Sequence, residues 1–135
     1  MENELQIGLT HKFDLTVTTE FVADQYGNAG FPVYATPALV AHVEAAAIQC
    51  VAFTLDEGQG TVGTRLDIQH LAATPLGMAV SVQAELSEID GRRLVFSIEA
   101  YDEVEQIAKG THERFVINSI EKFVARASQK AASGD

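Results

Sequence analysis

Basic residues are scarce in this chain: nine Lys and Arg stand against nineteen Asp and Glu, a formal net charge of −10 over 135 residues. That balance argues against a nucleic-acid surface or an anionic membrane as partner, and a polyanionic ligand would need a local basic patch set against the overall field. Cysteine is scarcer still. A single Cys50 excludes a disulfide framework within the chain, reads as a small core residue, and fits a reducing, cytoplasmic setting. No apolar run is long enough to span a membrane, and the opening MENELQIG is too acidic and polar for a secretory signal. No Cys/His cluster has metal spacing. Neither an internal repeat nor a linker divides the chain, so residues 1–135 read as one domain able to bury a real core.

What is present is a long apolar helix, centred on residues 33–51 (VYATPALVAHVEAAAIQCV). Thr36 suits the N-cap and Pro37 the first helical position. Leu39, Val40, Val43, Ala45, Ala46, Ala47, Ile48, Cys50 and Val51 then cover most of the circumference, which is the pattern of a helix buried on all sides. Glu44 interrupts that run. A carboxylate there needs either a partner or a task.

Around the helix the pattern has the period of strands. Residues 11–18 alternate at Phe13, Leu15 and Val17, and 19–26 suggest a short helix or lid, followed by a Gly-rich loop over 27–32. After Gly58 and Gly60 the period is two again. Strands are expected over 61–72, 78–89 (inward Val80, Val82, Ala84, Leu86, Ile89), 93–101 (inward Leu94, Phe96, Ile98, Ala100) and 106–118. Asp90-Gly91 is a hairpin signal between the middle two. A short helix over 119–130 and a frayed AASGD tail close the chain. One helix and an antiparallel meander make an α+β layer architecture in which a sheet curls around the helix.

Three residues could do chemistry together. Thr36 and Glu44 lie eight residues apart, about 12 Å along a helix axis, and helical side chains lean toward the N-terminus. The remaining gap of roughly 5–7 Å suits an imidazole hydrogen-bonded at each end. His70, on the facing strand, is the natural bridge in a Glu–His–Thr relay. Taken singly, Thr36 is as readily a plain cap, Glu44 half of a structural ion pair, and His70 a core histidine. His42 and His112 are the competing imidazoles; His42, two residues from Glu44, belongs to another helix face and is expected in solvent or at an interface. The run 60–64 (GTVGT) has no following lysine or helix and is no phosphate loop; Gly63 there fits a strand that something approaches closely. Residues 110–114 (GTHER) place charges on a final strand that could be a solvated face.

The segments VYAT…E (33–44), GTRLDIQHLAATPLG (63–77) and AELSEIDGRRL…GTHERFVI resemble the fluoroacetyl-CoA thioesterase family of the hot-dog fold, over nearly the whole chain from Phe13 to the EKF of 121–123. The resemblance implies an antiparallel sheet wrapped around the helix, dimerised edge to edge, with active sites at the dimer interface. It assigns catalysis to Thr36, Glu44 and His70, and substrate contacts to Gly63 and Arg114. The loop before the helix, AGFPVYAT, is one residue shorter than in the fluoroacetate enzyme and carries Phe31 and Tyr34 close to the acyl group.

The reading is a cytoplasmic, homodimeric acyl-CoA thioesterase for a short or small acyl group, with no metal or redox cofactor and coenzyme A only as part of the substrate. Thr36 is expected as nucleophile or water-orienting group, His70 as general base then acid, and Glu44 as the charge that orients His70. A backbone N–H near Gly63 would stabilise the oxyanion. The alternatives are a hot-dog hydratase or dehydratase, for which no second acid stands beside His70, and a non-catalytic acyl-CoA-binding hot-dog domain, which would have lost the Thr/Glu/His set.

Overall fold

The computed structural model describes residues 4–133. Five strands form one antiparallel sheet: β1 (Thr10–Thr16), β2 (Gly60–His70), β3 (Ala79–Asp90), β4 (Arg93–Asp102) and β5 (Gln106–Ile117), in the spatial order β1-β3-β4-β5-β2. Helix α1 (Thr36–Ala52) lies across one face, and α2 (Ile120–Ser133) leaves the sheet beside the start of β2. Residues 19–21 and 23–26 form two single 3-10 turns where the sequence suggested a helix or lid.

The alternation in the sequence sets which way the sheet faces. Val80, Val82, Ala84 and Leu86 of β3 and Leu94, Phe96, Ile98 and Ala100 of β4 are all buried toward α1. A bulge at Ser87, between the pairs Leu86–Phe96 and Glu88–Val95, leaves Ile89 only partly buried. β3, β4 and β5 form the expected meander. β2 departs from it: instead of pairing with β3, its neighbour in sequence, it pairs with β5 and ends the sheet. Gly110 on β5 makes this approach possible, because a Cβ there would run into the Asp67 carbonyl on β2.

Helix α1 buries Ala38, Leu39, His42, Val43, Ala46, Ala47, Cys50 and Val51. The expected all-round burial is not met within one chain. Pro37, Ala41, Glu44, Ala45 and Ile48, spaced at helical intervals, form an open or partly open face. The helix also starts one residue earlier than its cap signal implied. Ala35 is the N-cap, without a side-chain hydrogen bond, and Thr36 is the first helical residue. α2 runs through Ser133, into the segment expected to fray, while residues 134–135 lie outside the described residues. No helix among the described residues is long and apolar enough to cross a membrane.

The strand leading into α1 is stitched on both sides. Ala23 N–H donates to the Val33 carbonyl, Tyr34 N–H to Thr74 and Ala35 N–H to Phe21, each at 2.8 Å. Thr74 is itself fully buried, its hydroxyl donating to Asp102 at 2.9 Å. The start of α1 is therefore fixed by backbone pairing rather than by a cap.

The β2–β5 contact gives the first prediction. Gly110→Ala must push β5 away from β2 and is expected to cost about 1–3 kcal/mol, read as a lower urea midpoint with unchanged slope. An unchanged midpoint would show that the two strands separate freely.

Candidate active site

Thr36 and His70 meet. The first turn of α1 presents the Thr36 hydroxyl to Nδ1 of His70, at the end of β2, with 2.8 Å between them. They open onto a cleft of roughly 470 Å³ walled by Phe31, Val33, Tyr34, Leu71 and Ala72 among others, with no formally charged side chain in its lining. Burial pushes the His70 imidazole below its ordinary value, so the ring is neutral near pH 7. In the tautomer a base would need, with the Thr36 hydroxyl donating to Nδ1, the His70 proton sits on Nε2. That atom is buried and has no hydrogen-bond partner among the described residues.

Glu44 is not that partner within this chain. The expected relay with His70 between Glu44 and Thr36 does not form in one protomer. Glu44 faces Arg114, 3.6 Å from Nη1, with its side chain 44% exposed. Arg114 is only 3% exposed. Its Nε donates to the Thr61 hydroxyl and an Nη2 proton to the Thr61 carbonyl, both at 2.8 Å, while Nη1 lies 3.1 Å from Nε2 of His112. A guanidinium has no acceptor, so His112 Nε2 must accept, and its Nδ1–H then donates to the Arg65 carbonyl at 2.8 Å. This geometry fixes one neutral tautomer of His112, and burial, the largest influence on that ring, also disfavours its charged form.

The GTHER segment is therefore not a uniformly solvated face. His112 and Arg114 point inward, while Glu113 points outward to Arg93, 3.0 Å away. Gly63 pairs with Arg114 across the sheet beside a bulge. A Cβ at Gly63 would lie 3.2 Å from both Arg114 Nη1 and His112 Cε1 and 3.6 Å from Glu44 Oε2. The glycine thus leaves room for this charged group, and Glu44 and Gly63 lie together.

Two constellations emerge in place of one: Thr36–His70 at the cleft, and Glu44–Arg114–His112 beside Gly63. Phe31 is 53% exposed on the loop over the cleft, and Tyr34 is buried in its wall. Arg114, expected at the substrate, has its guanidinium engaged with Thr61, His112 and Glu44 instead. His42 is the residue the sequence reading placed wrongly. It is buried, 2.6 Å from the Tyr34 hydroxyl, and ringed by Phe13 and Phe21. The available signal was an aromatic, Tyr34, just before the start of α1 and eight residues ahead of His42. Among the described residues no three His, Cys, Asp or Glu side chains group in a way that could hold a metal ion.

With this geometry in hand, comparison with known proteins is informative. The family model for fluoroacetyl-CoA-specific thioesterase matches residues 17–120. Fluoroacetyl-CoA thioesterase of Streptantibioticus cattleyicolor is 45% identical over 107 residues, covering 78% of this chain and 76% of that protein. A solved structure of a fluoroacetyl-CoA thioesterase superposes with a TM-score of 0.88 at 38% identity, covering 93% of this chain and 97% of the other. A Thermus thermophilus member of the thioesterase superfamily follows at 0.84 and 28%, covering 96% and 97%. The antiparallel sheet packed against α1 and these matches agree: the chain belongs to the fluoroacetyl-CoA-specific thioesterase family and has its hot-dog fold.

Proposed function

We propose that this chain, an acyl-CoA thioesterase, hydrolyses thioesters of small, uncharged acyl groups as a cytoplasmic homodimer whose active site draws on both protomers. The observation that carries the reading is the Thr36–His70 hydrogen bond at the mouth of an uncharged cleft, with the buried Nε2 of the same imidazole left without a partner among the described residues. In the reaction, His70 removes the Thr36 proton, or that of a water Thr36 holds. The resulting oxygen attacks the thioester carbonyl, and the imidazolium returns the proton to the departing coenzyme A sulfur. The thiol of Cys50, buried and unpaired, is in keeping with a reducing compartment.

The second protomer supplies what one lacks. β2 is an edge strand, and an uncovered edge invites another strand. Two β2 edges pairing antiparallel about their middles bring the Gly60–Gly63 end of one to the His70 end of the other. The partner's Glu44, lying beside the partner's Gly63, then accepts the His70 Nε2–H and stabilises the imidazolium. The partner's Gly63 backbone is placed to meet the oxyanion. The open face of α1, with Pro37, Ala41, Ala45 and Ile48 around Glu44, and the exposed Phe123 and Val124 on α2 beside β2 support such a cover.

Three measurements check this. First, thiol release from a panel of short acyl-CoAs should show kcat/KM falling as pH drops through the His70 pKa. Burial lowers that pKa while the partner's Glu44 carboxylate raises it, so the acid limb should move to lower pH in Glu44→Gln; an unmoved limb would take Glu44 away from His70. Second, the protein should sediment as a dimer at micromolar concentration. Glu44→Gln and Thr36→Ala should each lose roughly 10²–10⁴-fold in kcat. After subunit exchange, mixed dimers carry one intact site of two, so about a quarter of wild-type activity should return. Dimeric variants that show no recovery would place all three residues in one protomer's site. Third, Phe31→Ala should change relative rates between short acyl chains more than it lowers them overall; a uniform loss would assign Phe31 to the fold.

A further inference from the structure

Tyr34 and His42 form a polar pair that the reaction above does not use. Tyr34 is 1% exposed, and its hydroxyl lies 2.6 Å from Nδ1 of His42. The two rings stack at 5.8 Å and 17°. On its other side the Tyr34 ring meets the His70 imidazole at 6.2 Å and 79°, an edge-to-face contact. His42 is held in turn by Phe13, stacked at 5.4 Å, and by Phe21, edge-on at 4.7 Å. A continuous line of contact therefore runs from the β1 aromatic Phe13 through His42 and Tyr34 to His70 and Thr36.

A phenol and an imidazole in an apolar cage carry a cost that a phenylalanine and a leucine would not: each must find the other or stay unsatisfied. What the pair adds is direction. An unbonded ring in this wall can turn about χ2 and slide with its backbone, whereas a hydrogen bond at the hydroxyl fixes both its plane and its depth. Tyr34 is pinned at its other end by the Thr74 carbonyl, which accepts its backbone N–H at 2.8 Å. Burial pushes the phenol far above its ordinary value and the His42 imidazole below its own. The two stay neutral, bonded to each other between the hydroxyl and Nδ1, and Tyr34 serves as a wall rather than as an acid in the reaction.

We propose that His42 is a positioning residue: it anchors the Tyr34 hydroxyl so that the Tyr34 ring braces the His70 imidazole against Thr36. The inference rests on the thioesterase reading for its kinetic consequence, but the bracing itself is a property of the resting protein. It explains why a buried histidine occurs in an aromatic cage nearly two turns from the start of the helix that carries Thr36. It also assigns Tyr34, expected from sequence as a substrate contact, a role exerted through His70.

The test uses the full-length dimer with Tyr34→Phe, His42→Leu, His42→Gln and the double variant Tyr34→Phe/His42→Leu. Acetyl-CoA is the kinetic probe, and imidazole nitrogen NMR of His70 is the structural one. Tyr34→Phe and His42→Leu should lower kcat by up to ~10²-fold, the scale of a misplaced catalytic group, with KM little changed. The double variant should be no worse than the poorer single one, because both cut the same link. His42→Gln, whose amide oxygen can accept the phenol proton, should recover most of kcat. In the resting variants the His70 nitrogen signals should pass from a single tautomer to an averaged one, with His42→Gln again close to wild type. Wild-type kcat in Tyr34→Phe and His42→Leu, equal losses in His42→Gln and His42→Leu, or an unchanged His70 spectrum alongside a lowered kcat would each overturn the proposal. If the wild type released thiol from no acyl-CoA, the thioesterase reading would fall, and the His70 spectrum alone would still decide the bracing.

Discussion

A five-stranded sheet with alternating strands has one apolar face to bury, and in this chain α1 must do it. Everything at the site follows from that contact. The inward rows of β3 and β4 fix the depth of α1 through Leu39, Val43, Ala46 and Ala47, which are small or slender where the helix crosses the sheet. The depth in turn decides which residues of α1 remain reachable. Thr36 projects at the N-terminal end and Glu44 toward the β2–β5 edge of the sheet, beside Arg114 and Gly63, because both lie off the stripe that the packing consumes. Burying roughly a leucine's worth of surface contributes about 1.5–3 kcal/mol, so the helix has little freedom to roll and exchange one set of residues for the other.

The charge pattern shows the same constraint at work. A chain with a formal charge of −10 keeps one arginine almost wholly inside. Removing a guanidinium from water is tolerable only if its protons are used, and Arg114 uses them on Thr61, His112 and Glu44. The arrangement holds a carboxylate at a set place on an otherwise apolar helix face. Glu44 is therefore both a structural partner and available to a neighbouring molecule, two readings that the sequence posed as exclusive.

Much of the fold was legible in the residues. The Asp90-Gly91 turn, the inward rows of β3 and β4, and the extent of α1 were read closely because they depend on local turn chemistry and period. The position of β2 was not, since its pairing with β5 is set some forty residues away by a glycine whose reason is the Asp67 carbonyl, not its own turn. At the site, the residue types were legible and their distribution was not. Thr36 looked like a cap because its hydroxyl is what caps use; the structure spends it on His70. His42 was placed in solvent by counting helix faces from Glu44, a method that cannot see Phe13 and Phe21 arriving from other elements. The relay was inferred with Thr36 and Glu44 on one helix and His70 bridging them from the facing strand; within one chain the structure joins Thr36 to His70 and sets Glu44 apart, beside Arg114.

The missing cap of α1 has a consequence for engineering. A side-chain cap ordinarily contributes about 1 kcal/mol to a helix, and the position that could supply one here, Ala35, is 1% exposed and closed in by its neighbours. The adjacent hydroxyl is already engaged by an imidazole. Thermal hardening of this protein is therefore blocked at the one helix end where a designer would ordinarily begin. Robustness has to be sought elsewhere, in the outer face of the sheet or in the turns, because at the start of α1 the one hydroxyl within reach is already committed to His70.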